Sequence, residues 1–281
     1  MAYGRLCYPQ GTEEPRGTRA VQGDCADSCG VRSFQAWKGG AVKPTITRTL
    51  LAAAAAAALA ITATACAGSA VNPEPPEPAA TIGASLELPA PTDAPPASLS
   101  ATIDSRHSVR EFTADPLTQA DLSTLLWATY GYRTDGGRTV PSAGGLYALA
   151  IFVAIGNVQD VAPGIYAWDP ATNQLGLMSE GDPRTVLQAA ALGQSAIGDA
   201  PATIVIAGSP VRLEDKYGAR AEQFTLNEAG HSSQNLLLMA AALGLGAVPI
   251  GGFEDDEVSE ALGLPTGEAP YYLVPVGNGA S

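Results

Sequence analysis

The longest apolar run in this 281-residue chain, LLAAAAAAALAI at residues 50–61, is twelve residues. A membrane-spanning helix needs about 20, so the run is too short to cross a bilayer comfortably. Cysteine is scarce, with four residues at positions 7, 25, 29 and 66. Cys25 and Cys29 have no histidine or second cysteine pair beside them, which argues against a zinc site, and no metal is expected. Histidine is limited to His107 and His231. No G-x-G-x-x-G is present, so a Rossmann-type nucleotide site is not indicated. Basic residues are few: from Cys66 onward there are eight against twenty-four acidic residues, a net charge of −16. Such a surface repels nucleic acid and anionic membranes, and excludes both as electrostatic partners.

What is present begins with an export pattern. Lys43 and Arg48 precede the apolar run, and small residues lead from it to Cys66. A charged start, a short apolar centre and a small-residue exit describe a secretory signal. The exit Ala63-Thr64-Ala65-Cys66 resembles that of a bacterial lipoprotein. Residues 43–65 then form the signal, Cys66 carries lipid, and the mature protein is anchored on the outer face of the cytoplasmic membrane. With no paired arginine, the signal looks like that of the general secretory route. Residues 1–42 show no apolar periodicity and read as an extension outside the fold, with translation expected to start at Val42. The mature chain would keep one cysteine and be held together by its core alone.

Residues 66–101 are rich in Pro, Ala, Ser and Glu (NPEPPEPAA, PAPTDAPPAS). They bury too little apolar surface to offset their ordering entropy, so an extended tether is expected. Residues 102–281 have the size of one domain. A helix is expected over 115–132, with Leu122, Leu125, Leu126 and Thr129 on one stripe. Strands are expected at 146–155 and 202–208, a hairpin over 164–178, and helices at 183–194, 219–243 and 255–262. AVPIGGF (247–253) and YYLVPVG (271–277) read as strands. The irregular alternation of helix and strand indicates an α+β fold.

Three segments can carry chemistry. In Arg106-His107-Ser108-Val109-Arg110, alternate residues of an extended chain point one way, so two guanidiniums and a hydroxyl can converge on phosphate. His107 should then point away. In Pro141-Ser142-Ala143-Gly144-Gly145, small residues before a buried strand let backbone N–H groups approach a ligand. Pro249-Ile250-Gly251-Gly252 offers backbone to something flat. Each also has a plain reading, as solvated arginines or as ordinary turns. His231 reads as a residue that packs or bonds locally.

Taken in order, SRHSVREF, PSAGGLYAL, Lys216-Tyr217 in DKYGARAEQF, the helix EAGHSSQNLLLMAAALGLGA and IGGF resemble the nitroreductase superfamily, in its SagB/ThcOx-type dehydrogenase branch. The resemblance spans roughly residues 103–277. It implies a nitroreductase-like fold with a mostly antiparallel central sheet flanked by helices, and a homodimer with FMN at the subunit interface. Arg106, Ser108 and Arg110 would bind the FMN phosphate and ribityl chain. Pro141, Ser142 and Gly144 would lie against the flavin, and Pro249, Ile250, Gly251 and Gly252 would approach its ring. The C-terminal basic residues that help hold phosphate in many nitroreductases have no counterpart in VPVGNGAS. Lys216 and Tyr217 match the Lys-Tyr pair that handles protons in azoline dehydrogenases, while flavin N5 takes hydride. A lysine acts as a base when burial or a nearby cation lowers its pKa, a field that Arg212 and Arg220 are positioned to supply.

Three functions are compatible with these residues. The first is a flavoenzyme that oxidises a small or peptide-derived substrate, a heterocycle among the candidates. The second is an NAD(P)H-fed nitro- or quinone reductase, against which export counts because reduced nicotinamides are cytoplasmic. The third is a non-catalytic flavin- or partner-binding surface lipoprotein.

Overall fold

The computed structural model describes residues 83, 85–92 and 98–280. The extension, the signal, Cys66 and the first part of the tether lie outside the described residues.

In chain order the elements are β1 (Ser85–Glu87), α1 (Leu99–Ser105), α2 (Gln119–Tyr130), β2 (Leu149–Ile155), β3 (Gly164–Asp169), β4 (Gln174–Glu180), α3 (Arg184–Ala190), α4 (Ser195–Asp199), β5 (Ala202–Gly208), α5 (Val211–Tyr217), α6 (Ala221–Ala242), β6 (Gly246–Ala247), α7 (Asp255–Leu262) and β7 (Ala269–Gly277). The strands make one sheet in the order β1-β4-β3-β2-β5-β7-β6, every pair antiparallel. This is the α+β fold expected from the sequence.

The central strands are apolar throughout because both sheet faces are covered. Ile151, Val153, Ile204, Ile206 and Val274 point into one core with Leu122, Leu125 and Leu126 of α2 and Leu236 and Leu237 of α6. Phe152, Val205 and Leu273 point into the other, with Leu187 of α3, Ile197 of α4 and Val258 and Leu262 of α7. A period of two along each strand thus feeds two cores at once.

Local chemistry sets the element ends. Helix α2 starts at Gln119, not at Asp115, because the Thr118 hydroxyl accepts from the Asp121 N–H (3.0 Å) and donates to the Asp121 carboxylate (2.6 Å), a reciprocal cap. The helix expected over 183–194 stops at Ala190, where Leu192 and Gly193 take left-handed φ of 57° and 76°; α4 (Ser195–Asp199) is separate. The strand expected at 247–253 is reduced to Gly246–Ala247 plus one bridge between Ile250 and Leu273. Pro249 has no N–H to give the ladder, and neither does Pro275 on the facing strand.

The tether reading needs correction at its distal end. Residues 85–87 pair with β4, and Leu88 is buried. The Asn173 amide donates to the carbonyls of Leu88 and Pro89, and the Ser123 hydroxyl donates to Pro89 (2.6 Å). A short SLEL strand is diluted by the prolines around it when composition is averaged over the segment. We expect Leu88→Ala to cost about 2 kcal/mol and lower the thermal midpoint by about 4–8 °C; an unchanged midpoint would show that the segment is not packed.

Candidate active site

The loop that feeds β2 has an unusual backbone. Gly144, Gly145 and Tyr147 all take left-handed φ, at 63°, 69° and 51°, a region that costs a non-glycine residue about 1–3 kcal/mol. Its ends are tied together: the Tyr147 N–H donates to the Ser142 Oγ (2.8 Å), whose own proton goes to the Glu228 carboxylate on α6 (2.7 Å). Gly144 faces α5. A Cβ built there would lie 2.6 Å from the Lys216 Nζ and 2.8 Å from the Tyr217 Oη. The glycine turn and the Lys-Tyr pair, 72 residues apart in sequence, therefore meet.

Lys216 is exposed and Tyr217 half-buried at the end of α5, where Gly218 turns the chain into α6. The Tyr217 ring sits edge-on to Phe224, with centroids 4.8 Å apart. The expected cationic field is not delivered as foreseen. Arg212 is ion-paired to the buried Glu268 and also donates to the Ala148 carbonyl (3.1 Å), so its charge is locally balanced. Arg220 lies over the Phe224 ring, 4.6 Å from its centroid.

A second cluster forms at the other end of the sheet. Ser108 bridges Ala247 in β6, and the Val109 N–H donates to the Ala247 carbonyl (3.1 Å). Gly246 permits this approach, since a Cβ there would fall 2.6 Å from a Val109 methyl. The cleft beside it, about 470 Å³, is lined by His107 and Arg110, with Val109, Glu111, Gly244 and Gly246. Arg106 and Ser108 are half-buried outside that lining. Arg106 caps α1 with extended backbone and donates its N–H to the Thr102 carbonyl, and the cleft takes Arg110 with His107 rather than with Arg106 and Ser108.

Pro249 is half-buried and Ile250 lies in the core, so only Gly251 and Gly252 are open. A Cβ at Gly252 would meet nothing within 4 Å, and one at Gly251 only Tyr272 at 3.8 Å. Pro141 is exposed beside the first loop. His231 is exposed on α6 and does not pack as expected. Among the described residues, no group of three His, Cys, Asp or Glu could hold a metal ion.

The two clusters are not adjacent within one chain. The 141–147 loop enters β2 at Leu149, which pairs with Gly208 and, through it, with Ala269. Ser108 joins at Ala247, which pairs with Val276. Seven residues of β7 separate those rungs, a distance of about 20 Å along the strand. Each chain thus carries the two clusters at opposite ends of the sheet.

Comparison with known proteins gives this arrangement a family. A model of the nitroreductase family matches residues 103–278. The chain belongs to the nitroreductase family. A nitroreductase relative from Methanocaldococcus jannaschii is 40% identical over 173 residues, 61% of this chain and 86% of its own. A nitroreductase crystal structure from Ralstonia eutropha is 31% identical with a TM-score of 0.62, covering 74% of this chain and 97% of that one. One from Anabaena variabilis is 32% identical with a TM-score of 0.59, covering 65% of this chain and 38% of that one. The protein is a nitroreductase-family oxidoreductase.

Sequence reading missed three buried residues around the first loop of this nitroreductase-family protein: Tyr130, Arg138 and Glu228. Glu228 left a signal, as a charged residue on the stripe Thr225, Ala229, Ser232, Leu236 that α6 buries; Arg138 left none.

Burial holds the Glu268 carboxyl above its ordinary 4.5, against the opposing pull of Arg212. A raised folded-state pKa means that the folded chain holds the proton more tightly than the unfolded one. That stabilisation is complete below the ordinary value and lost as pH rises through the folded-state value. Glu228 shifts the same way for the same reason, so the contribution of Glu268 must be read as a difference. Urea unfolding of native protein and Glu268→Gln, over about pH 4 to 8, should show the variant losing less stability as pH rises; parallel curves would contradict this.

Proposed function

We propose that this protein is an FMN-dependent dehydrogenase of the SagB/ThcOx type, acting as a homodimer on a small organic or peptide-derived substrate. The observation that carries the reading is the meeting of Gly144 with the Lys216 amine and the Tyr217 hydroxyl. A turn whose backbone is open to a flat ligand then stands beside two groups able to move protons.

The residues present suit the cofactor. Arg110 and His107 over an open cleft match a phosphate in charge and donor type, with Arg106 and Ser108 in the same segment. The bare backbones at Gly145 and at Gly251–Gly252 leave room for a ring system. Two half-sites about 20 Å apart are joined most simply by a two-fold dimer, in which each chain completes the other's site twice over. When bound, FMN supplies the hydride acceptor. As one C–H bond gives its electron pair to that acceptor as hydride, a neutral Lys216 Nζ would take the proton released from a second bond of the substrate, and Tyr217 Oη would donate a hydrogen bond to the substrate heteroatom. Oxygen or another acceptor outside the protein restores the oxidised cofactor. The export pattern adds that Cys66 anchors the enzyme by lipid to the outer face of the cytoplasmic membrane.

A second reading, an NAD(P)H-fed nitro- or quinone reductase, is favoured by what the Methanocaldococcus and Ralstonia relatives are called. Steady oxidation of NADH by the purified protein with a quinone would select it over the first.

Two measurements test the proposal. The purified protein should show flavin absorption bands and release FMN on denaturation, and Arg106→Ala/Arg110→Ala should lose both; a colourless native protein that takes up no added FMN would sink the cofactor assignment. Lys216→Ala should keep the bands while substrate oxidation falls by about 10²–10⁴-fold, the usual worth of a positioned acid or base. Retained turnover would remove Lys216 from the chemistry.

A further inference from the structure

Glu228 is 1% exposed, and burying a carboxylate is costly unless every oxygen is engaged. Here both are. Tyr130 Oη donates to one oxygen and Ser142 Oγ to the other, and the Ala148 backbone also bonds to the group. All three partners are donors, the pattern that an acceptor-only carboxylate satisfies and a neutral amide does not.

Behind it lies a buried cation. Arg138 is 3% exposed and forms no ion pair among the described residues. Its guanidinium lies 4.0 Å from the Tyr132 ring centroid, 4.9 Å from that of Tyr130 and 5.5 Å from that of Tyr147, and it donates to the Tyr130 carbonyl (2.9 Å). Tyr130 therefore touches both charges, with its ring against Arg138 and its hydroxyl on Glu228. Both ends of the strained loop are attached to this cluster, Ser142 through Glu228 and Tyr147 through Arg138 and Ser142. A buried ion set of this kind contributes little to stability that apolar residues could not supply. Its distinctive product is one fixed loop shape.

We propose that Glu228 is a positioning residue: its buried carboxylate, braced by Tyr130, clamps Ser142 and so holds the Pro141–Tyr147 loop in the conformation that presents Gly144 to Lys216, Tyr217 and the flavin. Its flavin part rests on the cofactor reading above; the clamp itself does not. Tyr147 takes a left-handed φ that a residue with a side chain does not keep unaided, and the Ser142–Glu228 bond ties this loop to α6. Glu228 touches neither Lys216 nor Tyr217, and acts through the loop.

Two variants separate this from a role in folding. Glu228→Gln keeps the shape of the side chain but gives one donor nothing to donate to. Tyr130→Phe keeps the ring on Arg138 and removes the brace together with a long contact from the Leu149 N–H (3.4 Å), so it decides the matter where Glu228→Gln does not fold. Amide hydrogen exchange should quicken about tenfold or more at Tyr147 and the adjoining loop amides in each folded variant, while β5, β7 and β2 beyond Leu149 keep native rates. Added FMN, titrated by flavin fluorescence, should bind about tenfold more weakly to each. Exchange that rises uniformly, or loop exchange that stays native, overturns the clamp. Native FMN affinity in variants with a loosened loop overturns the positioning role. If the unaltered protein binds no FMN, the cofactor reading fails, and loop exchange alone still decides the clamp.

Discussion

Helix α6 packs against the sheet along much of its length, and both clusters of candidate functional residues take their places from it. Its C-terminal part is apolar, with Leu236, Leu237 and Ala240 in the core beneath β2, β5 and β7. Its N-terminal part buries Thr225, Glu228 and Ser232 instead. There the helix meets neighbours by hydrogen bonds: Ser232 to the Thr129 carbonyl, Glu228 to Tyr130 and Ser142. Apolar contact is forgiving of small slides, whereas buried polar contact is not. The half of the helix that must hold a loop is therefore the polar half, and the half that carries β6 and the Ser108 bridge is greased.

Charge is distributed to the same end. Lys216 is the single lysine after Cys66, and the basic residues near it are otherwise engaged, Arg212 with Glu268 and Arg220 with Phe224. An exposed amine beside a glycine turn, on a strongly acidic protein, is consequently the most available basic group in that neighbourhood. A cation held away from carboxylate partners can serve as a proton donor or an anion contact in a way that Arg212 cannot. Arg138 shows the opposite solution, a buried cation accommodated by three aromatic rings and one carbonyl, where its role is to hold shape.

Much of the fold could be read in advance, because the relevant signals are local. Strand β5 and helix α7 have the expected bounds, since a seven-residue apolar run and a Gly263 stop are unambiguous. The ends that differed depend on contacts invisible to a window. Leu149 begins β2 only because Tyr147 is held left-handed by Ser142, and SLEL becomes a strand only because β4 offers an edge with Asn173 beside it. The site was legible as residue types but not as an arrangement. Gly144, Lys216 and Tyr217 were each singled out, yet nothing in the sequence puts Arg110 with His107 rather than with Arg106, nor balances Arg212 with Glu268. A pairing across 56 residues is fixed by topology, not by spacing.

Dividing a site between two ends of one sheet has a thermodynamic consequence on the dimeric reading. Cofactor that contacts both chains binds the dimer and not the separated chains, so cofactor and dimer stabilise each other and both depend on protein concentration. A lipid-anchored chain is confined to a surface, which raises the effective concentration of its partner without any added contact. On the proposed export route, the same confinement bears on how a chain threaded unfolded through a secretory channel would acquire its cofactor. Clamped by Glu228 and Tyr130, the 141–147 loop is already in its final shape, so little further ordering opposes cofactor capture. Preorganisation within each chain and assembly between chains then divide the cost of building the site.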